Sequence, residues 1–176
     1  MANELIEKFI STKSVFRGKV LHLDIDNVEL PNGKLAEREI VRHPGAVAIL
    51  AVTTDKKVIL IRQFRRAVNR ITIEIPAGKL EKNEDPLDCA FRELKEETGY
   101  IATSMKKISQ IYTSPGFANE IIHIYKAEGL QKGVSNPDDD EFVEMIELSL
   151  AEIDELIIRG EIMDSKTLIA LYYLKK

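Results

Sequence analysis

The stretch from Gly78 to Tyr100 constrains this chain more than any other. Asp85 is a good N-cap, Pro86 suits a first helical turn, and Gly99 can take the left-handed position that closes a helix. Between these caps Leu87, Ala90, Phe91 and Leu94 follow i, i+3, i+4, i+7 and define an expected buried stripe. Glu93, Glu96 and Glu97 lie three and four residues apart towards the helix end, so successive turns stack their carboxylates on one side. Like charges so placed destabilise a helix by roughly a few tenths of a kcal/mol per pair. A divalent cation would relieve the repulsion, and hard oxygen ligands suit magnesium or manganese. Taken alone, such glutamates read first as a solvated acidic face. Their position argues for more. At about 100° per residue, Glu93 and Glu97 fall at the edge of the stripe and Glu96 further round. Carboxylates at the margin of a core are partly desolvated and need a positive partner.

Written as Gly-x5-Glu-x7-Arg-Glu-Leu-x-Glu-Glu-x-Gly-Tyr, the segment resembles the signature of the Nudix hydrolase family. Gly78, Glu84, Arg92, Glu93, Leu94, Glu96, Glu97 and Gly99 each match a motif position. The last position usually holds an aliphatic residue, and Tyr100 departs from that while every charged position stays intact. The resemblance implies an α/β (α+β) fold, the Nudix-type α/β/α sandwich with a mixed sheet, here with an N-terminal β-hairpin extension. It divides the chain into a dimer-forming extension over residues 1–42 and a hydrolase domain over 43–176.

At 176 residues the chain fits one domain with a small extension, and a 44% hydrophobic share is ample for a core. A net charge of −4 argues against a nucleic-acid surface or an anionic membrane, so an anionic substrate needs a local basic pocket. The single Cys89 excludes an intramolecular disulfide, favours a reducing compartment, and reads as a packing residue. No apolar run is long enough for a membrane-spanning helix, and the N-terminus lacks the pattern of a signal peptide. The expectation is a soluble, cytoplasmic protein.

Along the chain, residues Val15 to Val41 read as a hairpin turning at Pro31-Asn32-Gly33, with Leu21, Leu23 and Ile25 alternating in its first arm. The first dozen residues are ambiguous between a short helix and a strand. Ala46 to Val52 reads as a central, doubly covered strand, which Thr53–Lys57 turns and Val58–Ile61 returns. Ile71, Ile73 and Ile75 alternate in a strand that delivers Pro76-Ala77-Gly78 to the motif loop. Met105–Ile111, Ile121–Ala127 and Phe142–Leu148 read as strands. Ser149 and Glu152 form a capping box for a helix ending near Gly160, and Asp164 caps a last helix ending at Leu174. His22, His43 and His123 are isolated and give no zinc spacing, and His43 before Pro44-Gly45 reads as a turn residue.

Nudix enzymes cleave nucleoside diphosphates linked to another moiety, using bound magnesium. By motif position Glu93 and Glu97 are the expected principal metal ligands, Glu96 a third ligand with a catalytic share, and the carbonyl of Ala77 a backbone ligand. Gly78 lets the backbone approach closely. Arg92 and Glu84 read as an ion pair holding loop and helix in register. Pro115, sixteen residues past Gly99, together with Arg38-Glu39-Ile40-Val41-Arg42 and Gln63-Phe64-Arg65, looks like the ADP-ribose pyrophosphatase branch. Those relatives are homodimers whose N-terminal hairpin crosses to the second subunit. Carried over, Arg38, Arg42, Arg65, Lys79 and Ser114 become substrate-binding candidates and Glu120 a ribose-binding one. The alternative for Arg62, Arg65, Arg66 and Arg70 is a solvated basic loop. A metal-bound water still needs a proton acceptor, and the resemblance places it at Glu141, with Asp139 and Glu144 as runners-up.

The implied reaction is magnesium-dependent (manganese possible) hydrolysis of ADP-ribose to AMP and ribose 5-phosphate. The rivals are a broader nucleoside-diphosphate-sugar pyrophosphatase, for example on GDP-mannose, and a non-catalytic nucleotide-binding regulator.

Overall fold

The apolar run beginning at Ala46 forms a strand buried over its whole length, and the rest of its unit is layered on it. The computed structural model describes residues 2–134 and 142–176. They fall into two units, Met1–Gly45 with Tyr112–Ile121, and Ala46–Ile111 with Ile122–Lys176.

In the second unit the strands are β4 (Ala46–Ala51), β5 (Val58–Arg65), β6 (Arg70–Glu74), β7 (Ala77–Lys79), β8 (Tyr100–Ile101), β9 (Ser104–Tyr112), β10 (Ile121–Glu128), β11 (Gln131–Lys132) and β12 (Val143–Leu148), numbered after β1–β3 of the first unit. The helices are α1 (Pro86–Thr98), α2 (Leu150–Ile158) and α3 (Ser165–Leu174). One sheet runs β7-β4-β10-β9, another β12-β5-β6, and β11 pairs with β8. Strand β4 is parallel to β10 and antiparallel to β7.

Alternation divides the core between two faces. Val47, Ile49, Ala51 and Ile59 pack with Cys89, Ala90 and Leu94 of α1. Ala46, Ala48, Leu50, Val58 and Leu60 pack with Ile153 of α2, Ile162, and Ala170 and Leu171 of α3. Because β4 is covered on both faces, its sequence is continuously apolar rather than alternating. Each fully buried Leu or Ile contributes about 1.5–3 kcal/mol. Helices on both faces make the α/β/α layering expected from the motif.

The helix ends follow their capping residues. Asp85 accepts from the Leu87 amide at 2.8 Å, and Gly99 takes φ +73°. Ser149 and Glu152 form the reciprocal capping box of α2, and Asp164 caps α3 through the Thr167 amide. None of the described helices is long and apolar enough to cross a membrane.

One local expectation needs correction, and two are extended. The buried face of α1 is Cys89, Ala90, Glu93, Leu94, Glu97 and Thr98, whereas Leu87 is 38% exposed and Phe91 only half-buried. Ala90, Glu93, Leu94 and Glu97 also follow i, i+3, i+4, i+7, so two carboxylates lie within the stripe, not at its margin. Second, Val58–Ile61 does reverse the chain, but backbone pairing with the preceding run is an isolated Val52–Val58 bridge just past β4. Strand β5 pairs instead with β12 and β6 and so enters a different sheet. Third, in the first unit the expected hairpin gains another strand.

That unit opens with a single helical turn, Ala2–Leu5, followed by β1 (Lys8–Arg17), β2 (His22–Glu29) and β3 (Leu35–Arg42), an antiparallel sheet in that order. Two register shifts in the β1–β2 pairing break the apolar alternation by which β1 would be read as a strand. The β2–β3 turn is as expected, with Gly33 at φ +80°. The face of β2 that is most buried carries Asp24, Asp26 and Val28, while Leu23 and Ile25 are half-buried. The aspartates are held there by ion pairs to Arg17 and Arg42 and by a Thr12 hydroxyl at 2.6 Å. Segment 112–121 is tied to β3: the Val41 amide donates to the Phe117 carbonyl at 2.7 Å, and the His43 amide to Asn119 Oδ1 at 2.8 Å.

Candidate active site

Strand β6 ends at Glu74, and Ile75-Pro76 leads into β7 against α1. There the Ala77 amide donates to Glu97 Oε2 at 2.9 Å. A Cβ built on Gly78 would lie 1.9 Å from the carboxyl carbon and Oε1 of Glu93. Any side chain at position 78 would push the Glu93 carboxylate out of this place. Glu93 and Glu97 are 6% and 3% exposed.

Arg92 organises the surrounding charge. Its Nε and Nη2 grip both oxygens of Glu84 at 2.8 and 3.0 Å, the bidentate pair expected to hold loop and helix in register. Its Nη1 donates to Glu93 Oε1 at 2.8 Å and Glu96 Oε2 at 2.9 Å. The Lys79 carbonyl accepts from Nη2 at 3.4 Å. Arg92's hydrogen bonds hold the Glu84 carboxyl at about 2. Bonding to Glu84 raises the guanidinium in turn. Cys89 is fully buried in the core beneath α1, as expected of a packing residue, and burial, then Glu84, pushes its thiol up.

The donor set suits a hard divalent cation. Glu93, Glu96 and Glu97 offer carboxylate oxygens beside β7, where Gly78 leaves room for the Glu93 carboxylate. Among the described residues no group of acidic, His or Cys side chains is gathered as a ready cage. In this structure Arg92 Nη1 supplies the positive charge shared by Glu93 and Glu96.

Tyr100, the departure from the motif, is buried and donates from its hydroxyl to Glu147 Oε1 at 2.7 Å. Burial and that carboxylate raise its pKa.

Arg65 of β5 is near enough to α1 for Glu97 to raise its pKa, although its hydrogen bond to Glu74 is the larger cause. Its Nε and Nη2 bind Glu74 at 2.9 and 2.8 Å. Burial pushes Glu74 up, but Arg65, Lys166 and Thr72 outweigh it and hold the carboxyl at about 2. The Lys79 side chain is exposed. Glu144, a candidate base, is exposed on β12 and pairs with Arg62 at 3.0 Å. Glu141 and Asp139 lie outside the described residues.

The other candidates belong to the first unit. Arg38 pairs with Glu7 at 2.5 Å, and Arg42 with Asp26 at 2.5 Å and Asp24 at 3.4 Å. Glu120 accepts from the Thr113 hydroxyl at 2.8 Å and lies 3.3 Å from His43 Nδ1. The Ser114 carbonyl accepts from the Phe117 and Ala118 amides. His43 is a turn residue as expected, its Nδ1 accepting from the Gly45 amide at 3.1 Å.

Nothing local in the sequence points to the Glu74–Lys166–Asp164–Thr167 cluster. Thr72 and Glu74 alternate with Ile71, Ile73 and Ile75, the pattern of a solvated face, and Lys166 is 92 residues away from Glu74.

A model described as NUDIX domain matches residues 42–170. The chain is 52% identical over 171 residues to a methanol dehydrogenase activator of Bacillus methanolicus, covering 96% of this chain and 92% of that protein. It is 51% identical over 173 residues to an ADP-ribose pyrophosphatase of Bacillus subtilis (strain 168), covering 97% and 94%. A solved structure described as an ADP compounds hydrolase superposes with a TM-score of 0.84 at 21% identity, over 97% of this chain and 94% of that one, and shares the fold. With the family model matched across the glycine, arginine and glutamates of the α1 site, this chain belongs to the NUDIX family.

Proposed function

We propose that this protein hydrolyses the pyrophosphate bond of ADP-ribose, giving AMP and ribose 5-phosphate, with magnesium (or manganese) as cofactor. The observation that carries it is the pair of buried carboxylates, Glu93 and Glu97, beside Gly78, where any side chain would displace the Glu93 carboxylate. The substrate is supported by the 51% identity to the Bacillus subtilis ADP-ribose pyrophosphatase over nearly the whole chain.

Glu93, Glu96, Glu97 and the Ala77 carbonyl would hold the metal. Once bound, it supplies charge neutralisation at the pyrophosphate and lowers the pKa of an attacking water. Arg92 keeps α1 and the preceding loop in register through Glu84, and its contacts to Glu93 and Glu96 would orient those carboxylates for the metal. Arg65 is the proposed phosphate contact from β5, and Lys79 presents an exposed ammonium beside Gly78. Arg38, Arg42, Ser114 and Glu120 are the proposed substrate contacts of the first unit. Glu141 is the proposed base, with Asp139 and Glu144 as its alternatives.

We read residues 1–42 as an extension that takes part in a homodimer, with the hydrolase domain at 43–176, in the cytoplasm. In support, every residue of β1 is exposed, including Phe9, Ile10, Val15 and Phe16. Light scattering at micromolar concentration should give twice the chain mass; the mass of one chain, 19.9 kDa, would contradict the dimer.

Product analysis with ADP-ribose, GDP-mannose and NADH, with and without magnesium, tests the function. AMP and ribose 5-phosphate from ADP-ribose, only with the metal, is the expected result. Preferred cleavage of GDP-mannose would make the protein a broader sugar-nucleotide pyrophosphatase. A second reading, regulation of another enzyme, is supported by the Bacillus methanolicus relative and would be left standing if no nucleotide is cleaved.

A further inference from the structure

A buried polar chain joins the start of α3 to Arg65 and to the loop that enters the site. Glu74, 3% exposed, accepts from Arg65, from the Thr72 hydroxyl at 2.6 Å and from Lys166 Nζ at 2.5 Å. Lys166 is buried too, and its Nζ also donates to Asp164 Oδ1 at 2.9 Å. Asp164 Oδ2 accepts from the Thr167 amide and hydroxyl at 2.9 and 2.6 Å. The Thr167 hydroxyl oxygen accepts the Ile75 N–H at 2.9 Å, directly before Pro76-Ala77-Gly78.

A buried ion pair is weak evidence for stability, because apolar side chains of similar volume often serve as well. This one has a geometric consequence. With Nε and Nη2 committed to Glu74, the plane of the Arg65 guanidinium is fixed. Its side chain is nevertheless 41% exposed, so part of the group faces solvent. Glu74 can hold that orientation only if it stays ionised and in place. Lys166, approaching from α3, gives the carboxylate a second cation and a second anchor.

We infer that Lys166 is a positioning residue for substrate binding: by holding Glu74 from α3 it fixes the orientation in which Arg65 meets a substrate phosphate. This rests on the proposed function and on Arg65 as a phosphate contact. The C-terminal helix thereby becomes part of the binding apparatus, although Lys166 itself touches no substrate. A purely structural tie would lower thermal stability without selectively changing affinity.

The test is a double-mutant cycle on steady-state hydrolysis of ADP-ribose at saturating magnesium, well below the melting temperature. Lys166→Met should raise KM by about tenfold or more while kcat stays within a few-fold, the split expected when binding shared by ground and transition states is lost. In an Arg65→Ala background the same substitution should leave KM unchanged. An unchanged KM in Lys166→Met, or an equal KM increase in both backgrounds, would overturn the inference. Should Lys166→Met fail to fold, Glu74→Gln, which keeps the shape and removes the charge, enters the same cycle, and the same KM changes support or overturn the inference. Should the wild-type protein leave ADP-ribose intact, the proposed function fails. The cycle read as the Kd of AMP by calorimetry then decides the role of Lys166 separately.

Discussion

Two charged clusters sit in the second unit, and they differ in charge balance. Among the described residues, Arg92 of α1 pairs with Glu84 of the preceding loop and with Glu93 and Glu96 of the helix, and Glu97 accepts from the Ala77 amide. Around β6 and α3, Glu74 and Asp164 are matched by Arg65 and Lys166. Among the described residues the first cluster holds more carboxylates than cations close to the core; the second is balanced. A surplus in partly desolvated surroundings is costly unless positive charge is supplied from outside, and that suits a site built to receive a cation. Balance suits a scaffold. Chemistry is therefore expected from the α1 cluster and orientation from the other.

The largest effect expected from this contrast is on α1. Glu93→Gln or Glu97→Gln should each lower kcat by at least ~10²-fold, since metal-based charge stabilisation contributes several kcal/mol. Thermal unfolding in magnesium-free buffer should show equal or slightly higher stability, because like-charge repulsion is relieved. Near-normal turnover by either variant would remove that residue from the ligand set.

The balanced cluster should appear in stability instead. Glu74 titrates at about 2 when folded, below its ordinary 4.5, so its stabilising share is present above pH 4.5 and disappears as pH falls towards 2. The full share is on the order of 3 kcal/mol. Urea midpoints measured from pH 6 downward should fall across that window. Glu74→Gln should flatten the fall, and parallel curves would show that the charge is not held by its partners.

A smaller effect is expected where Arg92 bridges the carboxylates. Arg92→Lys keeps the charge but loses the fork that grips Glu84. A stability loss of about 1 kcal/mol is expected by denaturant unfolding, with turnover lowered less than by either glutamate substitution. An effect equal to that of Glu97→Gln would mean that Arg92 takes part in the chemistry directly.

The α1 cluster is legible in the sequence because its determinants are local. Asp85, Pro86 and Gly99 fix the helix ends, Gly78 precedes them, and the glutamates follow at turn spacing. Its depth is less legible, since Leu87 and Phe91 satisfy the apolar pattern while Glu93 and Glu97 take the buried positions. The balanced cluster is hidden because its pairing is non-local: Glu74 meets a lysine 92 residues later. Strand β1 is obscured by its register shifts. The entry of β5 into a second sheet is likewise set by partners far along the chain, β12 above all.

The claim that the charge surplus on α1 is a cation site is tested most directly by titrating metal-free protein with manganese, followed by calorimetry or paramagnetic resonance. The wild-type protein should bind the ion, and Glu93→Gln and Glu97→Gln should each bind it at least ~10-fold more weakly while remaining folded. Equal manganese affinity in all three proteins would contradict the account.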